Sequence, residues 1–121
     1  MEKGEIYTAH NKQDHPHPII FLEWIDRVIF KGCIISHEPG KGNIPMQQEH
    51  FFIDDKNGGR YNIQFENSHL IPNETFRKME FWVNCDKVEG QLTNLGINFI
   101  EPYTRGEAIL CTVSIKKYRK G

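Results

Sequence analysis

Histidines, a serine and several cations crowd one stretch of this 121-residue chain. In DHPHPIIFLEWIDRVIFKGCIISHEPG, Asp14 to Gly40, His15 and His17 precede one apolar run, and Ser36 and His37 follow a second. An imidazole titrating near about 6.5 can take or give a proton close to working pH. Serine, lysine and arginine can donate hydrogen bonds to negative charge as it develops. His17, Ser36 and His37 are therefore the candidate catalytic groups. His15, Lys31, Lys41 and Arg105 are the candidate groups for binding an anionic substrate.

Whether these residues form one site depends on the strands between them. PIIFLEW, Pro18 to Trp24, is a continuous apolar run of the kind found in strands covered on both faces. Asp26 and Arg27 mark a turn, and VIFKGCIIS, Val28 to Ser36, is a second strand in which Gly32 predicts a bulge or bend. If the two are antiparallel neighbours, His17 and Ser36 share the rim far from the turn, each about nine or ten residues from Asp26. EPGKGNIP, residues 38–45, is a glycine- and proline-rich loop expected to hang over that rim, as loops that carry function often do.

Around this pair the chain reads as further short strands. GEIYTA, residues 4–9, is one. HFFIDDKNGGRYNIQF predicts a hairpin, with Phe51–Ile53 and Tyr61–Phe65 flanking Asn57-Gly58-Gly59. Pro72-Asn73-Glu74 resembles a helix start with Asn73 as cap, and TFRKMEFWV after it is a strand or one helical turn entering a strand. DKVEGQLTNLG predicts a short amphipathic helix ending at Gly96. EAILCTVSIKK alternates Ile109, Cys111, Val113 and Ile115, the pattern of a strand with one buried face. The expected fold is mainly β: a small, partly open barrel of five to seven short strands with one or two short helices, in a single domain spanning 1–121 with a frayed basic tail at 116–121. Alternating βαβ text and a glycine-rich phosphate loop are both missing from the sequence, which argues against a doubly wound nucleotide-binding fold.

Composition narrows the classes further. Charged residues make up 26% and apolar ones 38%, with net charge −1, so a globular domain is expected without a global attraction to nucleic acid or to anionic membrane. No apolar run approaches the roughly 20 residues that span a bilayer, and the N-terminus has no apolar leader core, so a cytoplasmic protein is expected. Cys33, Cys85 and Cys111 stand apart, without a C-x-x-C pair, and read as reduced, partly buried thiols. His-Pro-His with a third histidine on a neighbouring strand end is the weaker, metal-binding alternative; no cofactor is expected. His10, His50 and His69 read as surface residues. Among the aromatics, Phe51-Phe52 and Phe81-Trp82 read as core, leaving Tyr103, in the turn-rich EPYTRG, as the one able to stack on a base.

Gly4-Glu5-Ile6, then a polar loop, then His17-Pro18-Ile19-Ile20-Phe21-Leu22 resembles the opening of the MazF/PemK-like toxins. CIISHEP sets Ser36 where that superfamily ends its next strand in Ser or Thr at the cleft. The resemblance covers about 45 residues at the N-terminus, and histidine stands at position 17 where the family has arginine. It implies an SH3-like barrel and a metal-independent endoribonuclease acting on single-stranded RNA, held in check by an antitoxin in a bacterial toxin–antitoxin system and often homodimeric. His17 and Ser36 would then be catalytic, with His37 or a nearby lysine as helper. A non-enzymatic SH3-like or OB-like module, binding nucleic acid or protein through one face, is the alternative.

Overall fold

Glu5–Tyr7 (β1) lies antiparallel to Ile19–Trp24 (β2), with Ile6 opposite Ile20, and β2 lies antiparallel to Ile29–Ser36 (β3). The computed structural model describes residues 1–8, 18–27, 29–40, 42–79 and 87–104, with backbone alone over 72–79. The predicted strand 107–117 and the tail lie outside the described residues. Between β2 and β3 the chain turns at Asp26, whose Oδ1 accepts the Ile29 amide at 2.9 Å. Ile25 and Asp26 in return donate to the Ile29 carbonyl, at 2.8 and 3.1 Å.

The expected bulge is present. Phe21 faces Gly32, but Glu23 faces Lys31, so Leu22 is the extra residue. A Cβ at Gly32 would lie 3.0 Å from both the Ile20 carbonyl oxygen and the Phe30 ring, so a side chain here would press on the neighbouring strand's backbone.

Ile44–Pro45 (β4) and His69–Met79 (β5) extend the sheet on one side, and Gly90–Gln91 (β6) on the other, giving the order β4-β5-β3-β2-β1-β6. Every pairing is antiparallel. From β4 the chain crosses to the opposite edge through a 3₁₀ turn at Gln48–His50. There Phe51 bridges Leu92, and the Phe52 amide donates to the Gln91 carbonyl at 2.9 Å. A six-residue passage thus ties the two edges of the sheet together. The mainly β fold expected from the sequence is observed: the described residues form one small, open, six-stranded sheet, consistent with a partly open barrel, with one α-helix among them, Asn94–Thr104 (α1).

Alternation along the strands divides the core. Ile6, Ile20, Leu22, Cys33 and Ile35 point inward and pack with Met46, Phe51, Leu70, Leu92 and Ile100 of α1. Tyr7, Ile19, Phe21, Phe30 and Ile34 form a second buried cluster on the outer face, with Met1, Ile71 and Val88 against it. The reading of PIIFLEW as a strand covered on both faces therefore holds.

Three local expectations are corrected. The chain does reverse at Asn57-Gly58, with Gly58 at φ +90, Asp54 bridging Arg60 and the Tyr61 amide donating to Ile53 across the two arms, but the pairing stops there: Tyr61–Phe65 forms no strand, and Ile63 donates to Glu89 instead. Pro72 starts no helix: it lies within β5, where the pairing slips from Gly32–Phe76 to Ile34–Ile71, so 72–75 have no partner in β3 and the missing proline N–H costs no ladder bond. Finally, Gly90-Gln91 is strand, and the helix begins only at Asn94. Gly96 sits in its first turn and not at its end. Thr93 caps α1: its hydroxyl accepts the Gly96 amide at 3.2 Å and donates to the Glu49 carbonyl at 2.7 Å. Tyr103 consequently stands on the last turn of a helix, its ring against Phe99, and not in a turn-rich loop.

Candidate functional site

At the end of the sheet away from Asp26, the Ile35 amide donates to the Pro18 carbonyl at 3.2 Å, so the start of β2 lies beside the end of β3. Ser36 stands opposite His69 of β5, and His69 stands opposite Pro45 of β4. Pro18, Ser36, His69 and Pro45 thus belong to one rim, with His37 directly after Ser36. The strand pairing that the sequence required for a single site is present. His17 and His15, like Lys41 and Arg105, lie outside the described residues.

Ser36 is only 5% exposed. Its Oγ accepts the Glu38 amide at 3.0 Å, which leaves the hydroxyl proton available to a further acceptor. The following loop is built by Asn43, whose side chain donates to the Glu38 carbonyl at 2.9 Å and whose amide donates to Gly40. His37 is exposed. His69, read from sequence as an idle surface residue, is half-buried, and its Nδ1 lies 2.8 Å from the Asn67 carbonyl. A nitrogen facing a carbonyl must be the donor, so neutral His69 carries its lone pair on Nε2. Cross-strand partners share a face of the sheet at about 5 Å between Cβ atoms, which makes His69 the histidine that the register associates with Ser36. Nothing within either residue's own neighbourhood in the sequence signals this, because 33 positions separate them.

Lys31 is not part of that rim. It lies five residues back along β3, about 17 Å away at roughly 3.4 Å per residue. Its side chain helps line a different feature, a half-open groove of about 410 Å³ between α1 and the β2 bulge. Leu22, Ile97 and Ile100 form its apolar wall, and Lys3 and Glu101 pair across it at 3.4 Å. Deeper in the barrel, burial pushes the Cys33 thiol up to about 12 despite the opposing charge of Lys31, so this cysteine is an inert core residue.

His50 corrects a second surface assignment. It is 7% exposed, its ring stacks on Phe99 at 4.4 Å between centroids, and its Nδ1 accepts the Gln47 amide at 3.0 Å. Burial lowers its pKa below 6.5, against the smaller upward pull of Glu49. The unfolded chain therefore binds the extra proton first as pH falls. Stability from neutral His50 is complete above 6.5 and declines on acidification through the window beneath it. In a His50→Gln variant, the urea midpoint is expected to fall less steeply below that pH than in the parent chain; equal slopes would show that His50 does not set it.

Among the described residues, no group of three or more His, Cys, Asp or Glu is gathered as for a metal ion, and no helix is long and apolar enough to cross a membrane. Comparison with family models, with curated proteins and with solved structures returns no match for this chain.

Proposed function

We propose that the rim at the ends of β2, β3, β4 and β5 cleaves single-stranded RNA without metal, in the manner of the MazF/PemK-like toxins, as the toxin half of a bacterial toxin–antitoxin pair. Two things support this reading: the resemblance of the N-terminal 45 residues, and the cross-strand placement of Ser36 against His69. The second observation carries it. It sets a hydroxyl donor and a titratable base at the same strand end to which the family's opening motif leads.

The chemistry needs three roles. A base removes the 2′-hydroxyl proton, the 2′-oxygen bonds to phosphorus as the P–O5′ bond breaks, and an acid protonates the departing 5′-oxygen. His69 suits the base, since Nδ1 is committed to Asn67 and Nε2 is the acceptor in the neutral ring. Ser36, anchored by Glu38, donates to a phosphate oxygen as negative charge builds. The resemblance makes position 17 catalytic, and the imidazole of His17 suits the acid role that is left, with exposed His37 or a nearby lysine as helper; charge assigns phosphate binding to His15, Lys41 and Arg105. A neutralising antitoxin partner and a homodimer follow from the same resemblance.

The test is digestion of single-stranded RNA by the purified full chain in excess chelator. Cleavage is expected, falling about 10²-fold or more in His69→Ala and in His17→Ala, the scale of losing one general acid or base. Absence of cleavage by the parent chain would falsify the reading.

One observation favours a second reading, a binding module without catalysis. Ser36 is nearly covered, and its oxygen already holds the Glu38 amide. In that case the rim retains RNA intact, and the histidine variants alter only retention.

A further inference from the structure

We infer that Asn57 is a site of spontaneous covalent modification, at which the Gly58 amide nitrogen closes on the Asn57 side chain and converts it to isoaspartate or aspartate. This site lies in the Asp54–Arg60 turn, apart from the rim, and does not depend on the RNA reading.

The step balances without any reactant beyond water. The Gly58 nitrogen gives up its proton and attacks Cγ of Asn57, forming a N–Cγ bond. The carboxamide nitrogen takes up a proton and departs as ammonia, leaving a five-membered succinimide. Water then opens the ring at one of two carbonyls. Breaking N–Cγ yields aspartate, while breaking the bond to the main-chain carbonyl yields isoaspartate, with the backbone rerouted through the side chain.

The structure separates Asn57 from the other described asparagines. Asn57 and Gly58 are both exposed, and no atom lies within 4 Å of where a Cβ on Gly58 would stand. Gly58 is at φ +90, a region that glycine alone enters freely, and without a side chain its nitrogen can swing toward Cγ unhindered. Elsewhere the carboxamide is occupied, or the following residue is bulky or buried: exposed Asn67, at φ +51, precedes Ser68, which is only 5% exposed and whose carbonyl accepts the Met46 amide at 2.9 Å. Asn43 donates to the Glu38 carbonyl at 2.9 Å and precedes Ile44; Asn62 donates to Glu89 at 2.7 Å and precedes Ile63. Asn94 and Asn98 lie in α1, ahead of Leu95 and Phe99, where helical backbone holds the next amide away from the side chain.

The product changes the turn. Asp55 Oδ1 accepts the amides of Asn57 and Gly59, at 2.8 and 2.9 Å, and the Asp55 amide donates to the Gly59 carbonyl at 3.0 Å. An isoaspartate inserts a methylene into the main chain between those two amides, so one carboxylate oxygen cannot keep both. Either product also adds a carboxylate next to Asp54 and Asp55. The Asp54–Arg60 bridge loosens, and the 51–61 segment opens to proteases.

The experiment incubates the folded full chain in mildly alkaline buffer beside a synthetic peptide of residues 53–61. Chymotryptic digestion then gives the same peptide from the protein, and mass and retention separate asparagine, aspartate and isoaspartate. Conversion at a rate comparable to the free peptide, with isoaspartate the larger product, is expected. In Asn57→Gln the conversion disappears, because ring closure through the longer side chain is slower. Asn57 remaining intact after the free peptide has fully converted would overturn the proposal. Earlier conversion of another described asparagine would overturn it equally.

Discussion

Gly96→Ala lowers unfolding free energy by about 3 kcal/mol, read as a drop in urea midpoint at unchanged slope. By helix propensity alone the change should help, since alanine is favoured over glycine inside a helix by about 1 kcal/mol. The surroundings reverse the sign. Gly96 lies in the first turn of α1, fully covered, and a Cβ there would overlap the His50 carbonyl oxygen and approach its carbonyl carbon and Cα to 3.1 Å. These are backbone atoms, so no rotamer change relieves the clash. They are also fixed: the same carbonyl accepts the Thr93 amide at 2.9 Å, and Thr93 ties Glu49 to the helix cap. The helix must therefore lift from the passage that links the two sheet edges. Leu95→Ala, one residue away but 59% exposed, is the control and should stay within about 0.5 kcal/mol. An equally mild Gly96→Ala would mean that α1 does not seat on His50.

Phe30→Ala costs about 3–5 kcal/mol, the range for deleting a fully buried phenylalanine. Phe30 is at 0% exposure on the outer face of β3, its ring 5.6 Å from Phe21 and 6.4 Å from Trp24 between centroids. A sheet with one wet face would lose little from this change, because an exposed phenylalanine contributes few contacts. The size of the loss in thermal or urea unfolding therefore reports whether the second cluster is a true core. A cost near that of Leu95→Ala would show that the outer face is open.

The parts of the fold visible in the sequence share a cause. β1, β2 and β3 are short runs whose burial pattern is written in consecutive residues, and the Asp26 turn between β2 and β3 is closed by groups within four positions of one another. The bulge was legible because Gly32 stands alone inside an apolar strand. α1 was hidden by its own composition: Gly96 and Pro102 look like breakers, yet Gly96 is needed for close approach to His50 and Pro102 falls in the final turn, beyond most of the ladder. Pro72 misled in the opposite sense, since the register slip of β5 removes the bond a proline would break.

The candidate site divides along the same line. Sequence alone makes Pro18 and Ser36 the ends of neighbouring strands on the condition that the two apolar runs pair antiparallel across the Asp26 turn, and the β2–β3 register meets that condition. Tertiary structure alone decided that His69 faces Ser36, that Lys31 looks into a groove at the other end of β3, and that His50 is buried under Phe99. Each of these pairings joins segments far apart in the chain. Their partners are chosen by which faces the curled sheet must bury, and no local spacing of residue types encodes that choice.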